Sequence, residues 1–441
     1  MFTKVWTKNV AARKAVSEPN YADNHAFTVA AQNQHLRAAR VSKRRAGQLA
    51  RVSSLSAAGF TLVEMLTALS LSIIVLGAAF NYFNDVEGMT QSVSVMSQVN
   101  ENLRGAANLM ARDLYAAGTG VPVAGIPLPN FSGSAAVKRP GAGTATFPIS
   151  ANNGVLSVIT PGQGLSGVID AQVYASASDE ITILKEDEAW TEQTWNTTTQ
   201  DWTVQSLSVS TYTVGGHNSG KITYSAASGY TVTATFPSSC TPCSAISVGD
   251  LLLFTTASEG YVLGMVTATP VLTTSGGTTT ATLTFGSDSL ELNQACGATS
   301  PCAGTIDSLR QSPTTLPLVY PTQITLTKID MVTYYLKYTA NSAHLYTLMR
   351  VLGNDSPGAV AYGIGRLSLT YDAVNQASPP QLDASDPNPT CASTQCPNNI
   401  RTVHLTLGAI SNSALRRSGQ YYQNSIVSSI TLQNLEYSNQ F

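Results

Sequence analysis

The alternation of apolar and polar positions changes character twice along this chain. Residues 60–83, FTLVEMLTALSLSIIVLGAAFNYF, are apolar all round, with Glu64 as the only charge. At ~1.5 Å per residue, a helix over this stretch covers the ~30 Å hydrocarbon core of a bilayer. After Asp85 the pattern becomes amphipathic. Val86, Met89, Val93, Met96, Leu103, Ala107, Met110, Leu114 and Ala117 recur mostly three and four residues apart, with one polar break at Asn100. That spacing predicts a single apolar stripe on a continuing helix, with Glu87, Glu101, Arg104 and Asp113 off it. No proline falls between Phe60 and Gly120, and Gly118-Thr119-Gly120 followed by Pro122 predicts the helix end.

The second change comes after a Gly/Pro-rich loop at 119–150. Short runs rich in β-branched and aromatic residues follow: Glu180–Lys185, Leu251–Phe254, Tyr261–Val266, Thr282–Phe285, Met331–Tyr338 and Val403–Leu407. Turn signals at Gly215-Gly216, Gly276-Gly277 and Gly353-Asn354-Asp355 punctuate them. The prediction is an α+β chain, with a long N-terminal α-helix packed on an antiparallel β-rich domain over 119–441. The Thr- and Ser-rich stretch 187–320 reads as an elaboration of that domain.

Composition sharpens the compartment. Charged residues make up 11% of the 441-residue chain, under half the usual ~25%. Ser, Thr, Gly and Asn fill the gap, as suits a β-rich domain outside the cytosol. Ten Lys/Arg precede Phe60 against only Glu18 and Asp23, so the net charge of −2 hides a basic segment and an acidic remainder. A basic segment before an apolar run stays cytoplasmic, which places everything after Phe83 across the membrane. Topology therefore explains the basic charge, and the acidic remainder argues against nucleic acid as a partner. All six cysteines (Cys240, Cys243, Cys296, Cys302, Cys391, Cys396) follow the apolar run in three close pairs. In an oxidising compartment they suggest local disulfides, and nearest-neighbour pairing is the simplest of fifteen connectivities.

Gly59-Phe60-Thr61-Leu62-Val63-Glu64 followed by an apolar helix resembles the cleavage signal of type IV prepilins and pseudopilins. The resemblance implies a basic leader over 1–59, removed by a prepilin peptidase between Gly59 and Phe60, and N-methylation of Phe60. It implies a membrane half of the helix at 60–83 and an amphipathic half at 84–118. The chain departs from the family in having Ala57-Ala58 where a basic residue is usual, and in its long leader. Val248–Phe254 with Tyr261–Thr267 is similar to the "GD-apolar strand … apolar strand-T" segment of PilW-type minor pilins. Val332–Leu336 with Leu345–Arg350 is similar to their "YxL … LxR" hairpin, Ile364–Tyr371 to the strand that follows, and Ser429–Asn434 to their final strand. J-type minor pseudopilins of type II secretion share several of these.

The implied function is a non-enzymatic minor pilin that initiates, primes or caps a pilus. Its partners would be other minor pilins, the major pilin, the assembly platform and the inner membrane, which it would span once before moving into the pilus at the cell surface. Glu64 would pair with the Phe60 amine of a neighbouring subunit, offsetting two desolvation costs and setting axial register. A pseudopilus-tip subunit and a pilus-tip adhesin using 187–320 are the alternatives.

Other constellations have simpler readings. Gly215–Lys221 resembles a phosphate loop, but Ile222 stands where Ser/Thr is required, so a hairpin turn is the better reading. Cys240-Thr-Pro-Cys243 suits a loop disulfide better than a redox or zinc site, because His217, His344 and His404 are scattered. Asp383, Asp386 and Asn388, with Asp372 nearby, gather oxygen ligands that calcium accepts. An exposed polar loop is the better reading, so no cofactor is required. Glu186-Asp187-Glu188 reads as a solvated face. No catalytic signature nominates a nucleophile or base.

Overall fold

The computed structural model describes residues 60–436 apart from internal stretches. The longer of these are 149–153, 167–176, 189–193, 197–200, 211–221, 239–244, 296–301, 310–322, 339–345, 375–381 and 392–395. A single helix, α1, runs unbroken over Leu62–Tyr115. At ~1.5 Å per residue it is about 80 Å long. Packing divides the described chain within α1, between Tyr82 and Phe83.

Before that division the helix buries almost nothing. Leu62, Leu66, Leu69, Ile73, Leu76 and Phe80 are all more than half exposed. Among the described residues, α1 is the one helix long and apolar enough to cross a membrane. Beyond the division, α1 buries Val99, Leu103, Ala106, Ala107, Met110 and Leu114. The C-terminal part of the predicted stripe is therefore the buried face, whereas Val86, Met89 and Val93 stay exposed. Asn100 interrupts the stripe because its Oδ1 accepts from Asn424 Nδ2 at 2.6 Å and Tyr422 Oη at 3.5 Å. Asp113 corrects the reading of the periodicity: expected off the stripe, it is fully buried on it.

Nineteen strands are described. The first nine are β1 (Ile126–Pro127), β2 (Val155–Leu156), β3 (Ile159–Gly162), β4 (Glu180–Glu186), β5 (Thr194–Asn196), β6 (Asp201–Thr203), β7 (Leu207–Ser210), β8 (Ile222–Ser225) and β9 (Gly229–Pro237). Next come β10 (Leu251–Thr256), β11 (Tyr261–Met265), β12 (Val271–Ser275), β13 (Thr278–Phe285), β14 (Gln323–Tyr338) and β15 (Tyr346–Leu352). The last are β16 (Gly358–Tyr362), β17 (Ile364–Ala373), β18 (Ile400–Ala414) and β19 (Tyr421–Thr431), before a short helix α2 (Gln433–Glu436). Each strand expected from a run of β-branched and aromatic residues lies within or largely overlaps one of them, whereas Ser429–Asn434, expected as a final strand, leaves β19 after Thr431 and enters α2 at Gln433.

Twelve strands form one antiparallel sheet whose spine is β14. One end of β14 pairs with β10 and β7, the other with β4 and β15. Strands β7, β9, β12 and β13, from within 187–320, continue the same sheet. Gly276 and Gly277, at φ 58° and 81°, make the two-residue turn joining β12 to β13, a conformation that disfavours other residues. A second sheet has the order β17-β18-β19. One core packs α1 through Leu103, Met110 and Leu114 with Leu184, Met331, Leu367 and Leu405. A second core gathers Tyr230, Val232, Phe254, Phe285 and Leu326.

Candidate assembly site

The start of α1 is built by local hydrogen bonds. Thr61 precedes the first helical residue, and its Oγ1 accepts from Glu64 N at 3.2 Å. Glu64 reaches back, its Oε2 accepting from Thr61 N and Thr61 Oγ1, each at 3.0 Å. This is a reciprocal capping box, the arrangement that Thr-x-x-Glu favours at a helix start. It satisfies two backbone donors that would be costly to leave open in hydrocarbon. Both bonds to Glu64 use Oε2, so Oε1 accepts neither. Phe60 is 82% exposed, and Gly59 lies outside the described residues.

The other end of α1 is locked by charge. Asp113 Oδ2 accepts from Tyr334 Oη at 2.7 Å and Arg350 Nε at 2.8 Å, while Lys185 Nζ stands 3.3 Å from Oδ1. Tyr334 and Arg350 face each other across the β14–β15 register, and Lys185 comes from β4. Burial pushes the Asp113 carboxyl up, but the bonds from Arg350 and Tyr334, with the charges of Arg350 and Lys185, outweigh it and hold it below the ordinary value. Burial, together with the adjacent carboxylate, drives the Tyr334 phenol well above its usual range. Glu188 extends the network by bonding Lys185 at 3.0 Å. Asp187 bonds Lys328 at 3.0 Å, so the predicted solvated face is partly an ion-pair row.

Other residues of the resembling segments also hold turns and helix ends. Asp250 Oδ2 accepts from Ser247 N at 2.7 Å, and Thr267 Oγ1 accepts from Gly286 N at 2.7 Å. Asn434 Nδ2 donates to Tyr115 O at 3.3 Å and Ala117 O at 3.0 Å, covering carbonyls that the end of α1 leaves open. Periodicity gave no sign of these three roles.

Cys391 and Cys396 form a disulfide, and Cys302 is also disulfide-bonded. Cys240, Cys243 and Cys296 lie outside the described residues, as do Asp383 and the Gly215–Lys221 loop. Asp386 Oδ1 accepts from Asn388 N at 2.8 Å. Asp372 is engaged by Ser385 and by His404 Nε2, whose other ring nitrogen meets Ser429 Oγ at 2.8 Å. Among the described residues no three His, Cys, Asp or Glu side chains are grouped to hold a metal. No known protein family, curated protein or solved structure matches the chain.

Proposed function

We propose that this chain is a minor pilin of a type IV pilus, with a pilin-like fold, polymerising through α1 after removal of residues 1–59. The observation that carries the reading is the Gly59–Glu64 motif opening a proline-free helix. The first part of that helix is apolar and exposed, and its last part is buried in a β-rich domain. The Tyr334–Arg350 pair supports it, since the hairpin residues that resemble the family's motif are those that grip α1 at Asp113. On this reading the peptidase cuts after Gly59 and Phe60 becomes the methylated N-terminus. The membrane holds the helix start until filament assembly, with the β-rich domain periplasmic. No catalysis and no bound cofactor are needed.

Glu64 then has two tasks. Within one subunit it closes the capping box; between subunits its charge meets the neighbour's Phe60 amine. The two separate by substitution. Glu64→Gln keeps a box-forming side chain without the charge, whereas Glu64→Ala loses both. Both variants are expected to be cleaved, with Phe60 found as the N-terminus by mass spectrometry, and both to fail in pilus assembly scored by surface pili. Normal piliation with Glu64→Gln would leave capping as the sole role, and retention of Met1 on the membrane protein would overturn the prepilin reading. Loss of secretion with pili intact would assign the chain to a type II secretion pseudopilus instead.

A further inference from the structure

One face of the β17-β18-β19 sheet carries a serine, a histidine and an aspartate joined in series. His404 of β18 stands directly opposite Ser429 of β19, and Asp372 of β17 lies on the diagonal from it. Ser429 Oγ donates to His404 Nδ1 at 2.8 Å, and His404 Nε2 donates to Asp372 Oδ2 at 2.7 Å. Ser385 donates to the other oxygen of the same carboxylate. It is brought there by the chain returning along β17, where Tyr371 bridges Asp386. These partners fix the tautomer. An ionised carboxylate only accepts, so neutral His404 carries its proton on Nε2 and offers the Nδ1 lone pair to the Ser429 hydroxyl. The order is that of a Ser-His-Asp triad with the two ring nitrogens exchanged, which leaves the path of the proton unchanged.

The backbone adds a fourth part. Leu432 N donates to Arg401 O at 2.8 Å, so alternate residues of β19 turn their backbone toward β18. Ser429, three positions earlier, belongs to the intervening set. It sits in a non-hydrogen-bonded pair, where facing side chains approach most closely, and its N–H points away from β18. Among the described residues no strand pairs with that side of β19. The N–H beside the Ser429 hydroxyl can therefore meet an oxygen that becomes negative on an attacked carbonyl. Ser429 itself is exposed, whereas His404 and Asp372 are partly buried. Val427, two residues earlier on the same face, is 70% exposed. Thr406 stands opposite Val427, and Thr402 opposite Thr431.

We propose that Ser429 is the nucleophile of an acyl-transfer site for short-chain, uncharged esters. Its Oγ bonds to the ester carbonyl carbon as its proton passes to His404 Nδ1, and the carbonyl oxygen takes the negative charge. Collapse of that adduct breaks the bond from carbon to the alkoxy oxygen, and the Nδ1 proton leaves with the alcohol. Water repeats the sequence on the acylated serine. One of its protons goes to Nδ1, the acid is released, and that proton returns to Ser429 Oγ. His404 is thus general base and then general acid, and Asp372 is the positioning residue that holds the ring and its transient charge. Val427 offers a short acyl chain an apolar contact, and the threonines around it carry no charge to attract an ionic substrate. This activity is separate from filament assembly through α1 and does not rest on it.

The test uses the full chain in detergent, with 4-nitrophenyl acetate and diisopropyl fluorophosphate as probes. The second loses fluoride to Ser429 Oγ and leaves a stable phosphorylated serine, located by tandem mass spectrometry. The parent chain is expected to carry that adduct at Ser429 and to release 4-nitrophenol about a hundredfold faster than Ser429→Ala. Asp372→Asn separates chemistry from a structural role. Its Oδ1 still accepts from Ser385 and its Nδ2 donates to His404 Nε2, so the hydrogen-bonded tie across the three strands survives. The ring must then carry its proton on Nδ1, which leaves the Ser429 hydroxyl without a base. Both probes should react about a hundredfold more slowly with this variant, while hydrogen exchange of the sheet stays parental. Ser425→Ala, on the same face, should react as the parent does. Absence of an adduct at Ser429 in the parent, or equal reaction of the parent and Asp372→Asn, would overturn the proposal and leave the three residues as a cross-strand tie.

Discussion

Asp113 and Asp330 both feel the charges of Lys185 and Arg350, yet their carboxyls are shifted in opposite directions. Asp113 is held below the ordinary carboxyl value by its donors, so its stabilisation is present above the unfolded value and is lost as pH falls through the folded one. Removing it as Asp113→Ala takes the carboxylate from Arg350 and leaves the buried Lys185 with Glu188 alone. A loss of about 3–5 kcal/mol is expected, read by denaturant unfolding in detergent. Asp330 is raised to about 6, first by burial and then by the neighbouring Asp187, with Lys185, Lys328 and Arg350 offsetting part of this. Ionising it therefore costs the folded state between the unfolded value near 4 and pH 6, and that cost is complete above pH 6. Asp330→Asn should stabilise the protein at pH 7.5 by about 1–2 kcal/mol, discounted for partial exposure. The gain should vanish below pH 4, and an equal gain at both pH values would remove the ionisation argument.

At the scale of elements, α1 was the most legible part of the chain. An apolar run, a three-four spacing and a proline-free stretch are local signals, and they place the helix and, through Leu103, Ala107, Met110 and Leu114, half of its buried residues. The strands were legible for a similar reason, as local runs rich in β-branched and aromatic residues, as in β13 and β14. What escaped was contact between distant segments. Asp113 looked like a surface acid because its partners Tyr334 and Arg350 lie 221 and 237 residues away. The capping box is written in the sequence as Thr61-x-x-Glu64, a local signal that a lone carboxylate in an apolar run masks. The disulfide Cys391–Cys396 was legible from proximity, whereas the Asn434 cap was not, since nothing in Leu432-Gln433-Asn434 points back to α1. Asn434→Ala should fray the last turn of α1 at a cost of about 1 kcal/mol, seen as faster exchange at the amides around Ala116 and Ala117.

At the scale of the whole molecule, the Thr/Ser-rich stretch is not detachable. Strands β10 and β11 lie inside 187–320, and β10 pairs with six successive residues of β14, Ile324 to Ile329. Deleting 187–320 would strip that pairing and remove the second core, Phe254 and Phe285 included, leaving Ile324 and Leu326 uncovered. The deleted chain is expected to become protease-sensitive over 119–186 and 321–441 and not to accumulate. If it instead keeps parental protease resistance, β14 stands without β10 and the single-sheet account fails.

The Asn434 contact also sets a timetable. It joins two positions 319 residues apart, which at ~5–20 residues per second separates their synthesis by roughly 15–65 s. Throughout that interval the apolar start of α1 has already emerged while the far end of the helix lacks its cover. Nascent chains thus complete α1 first and cap its far end last, so that end stays uncovered until α2 is synthesised.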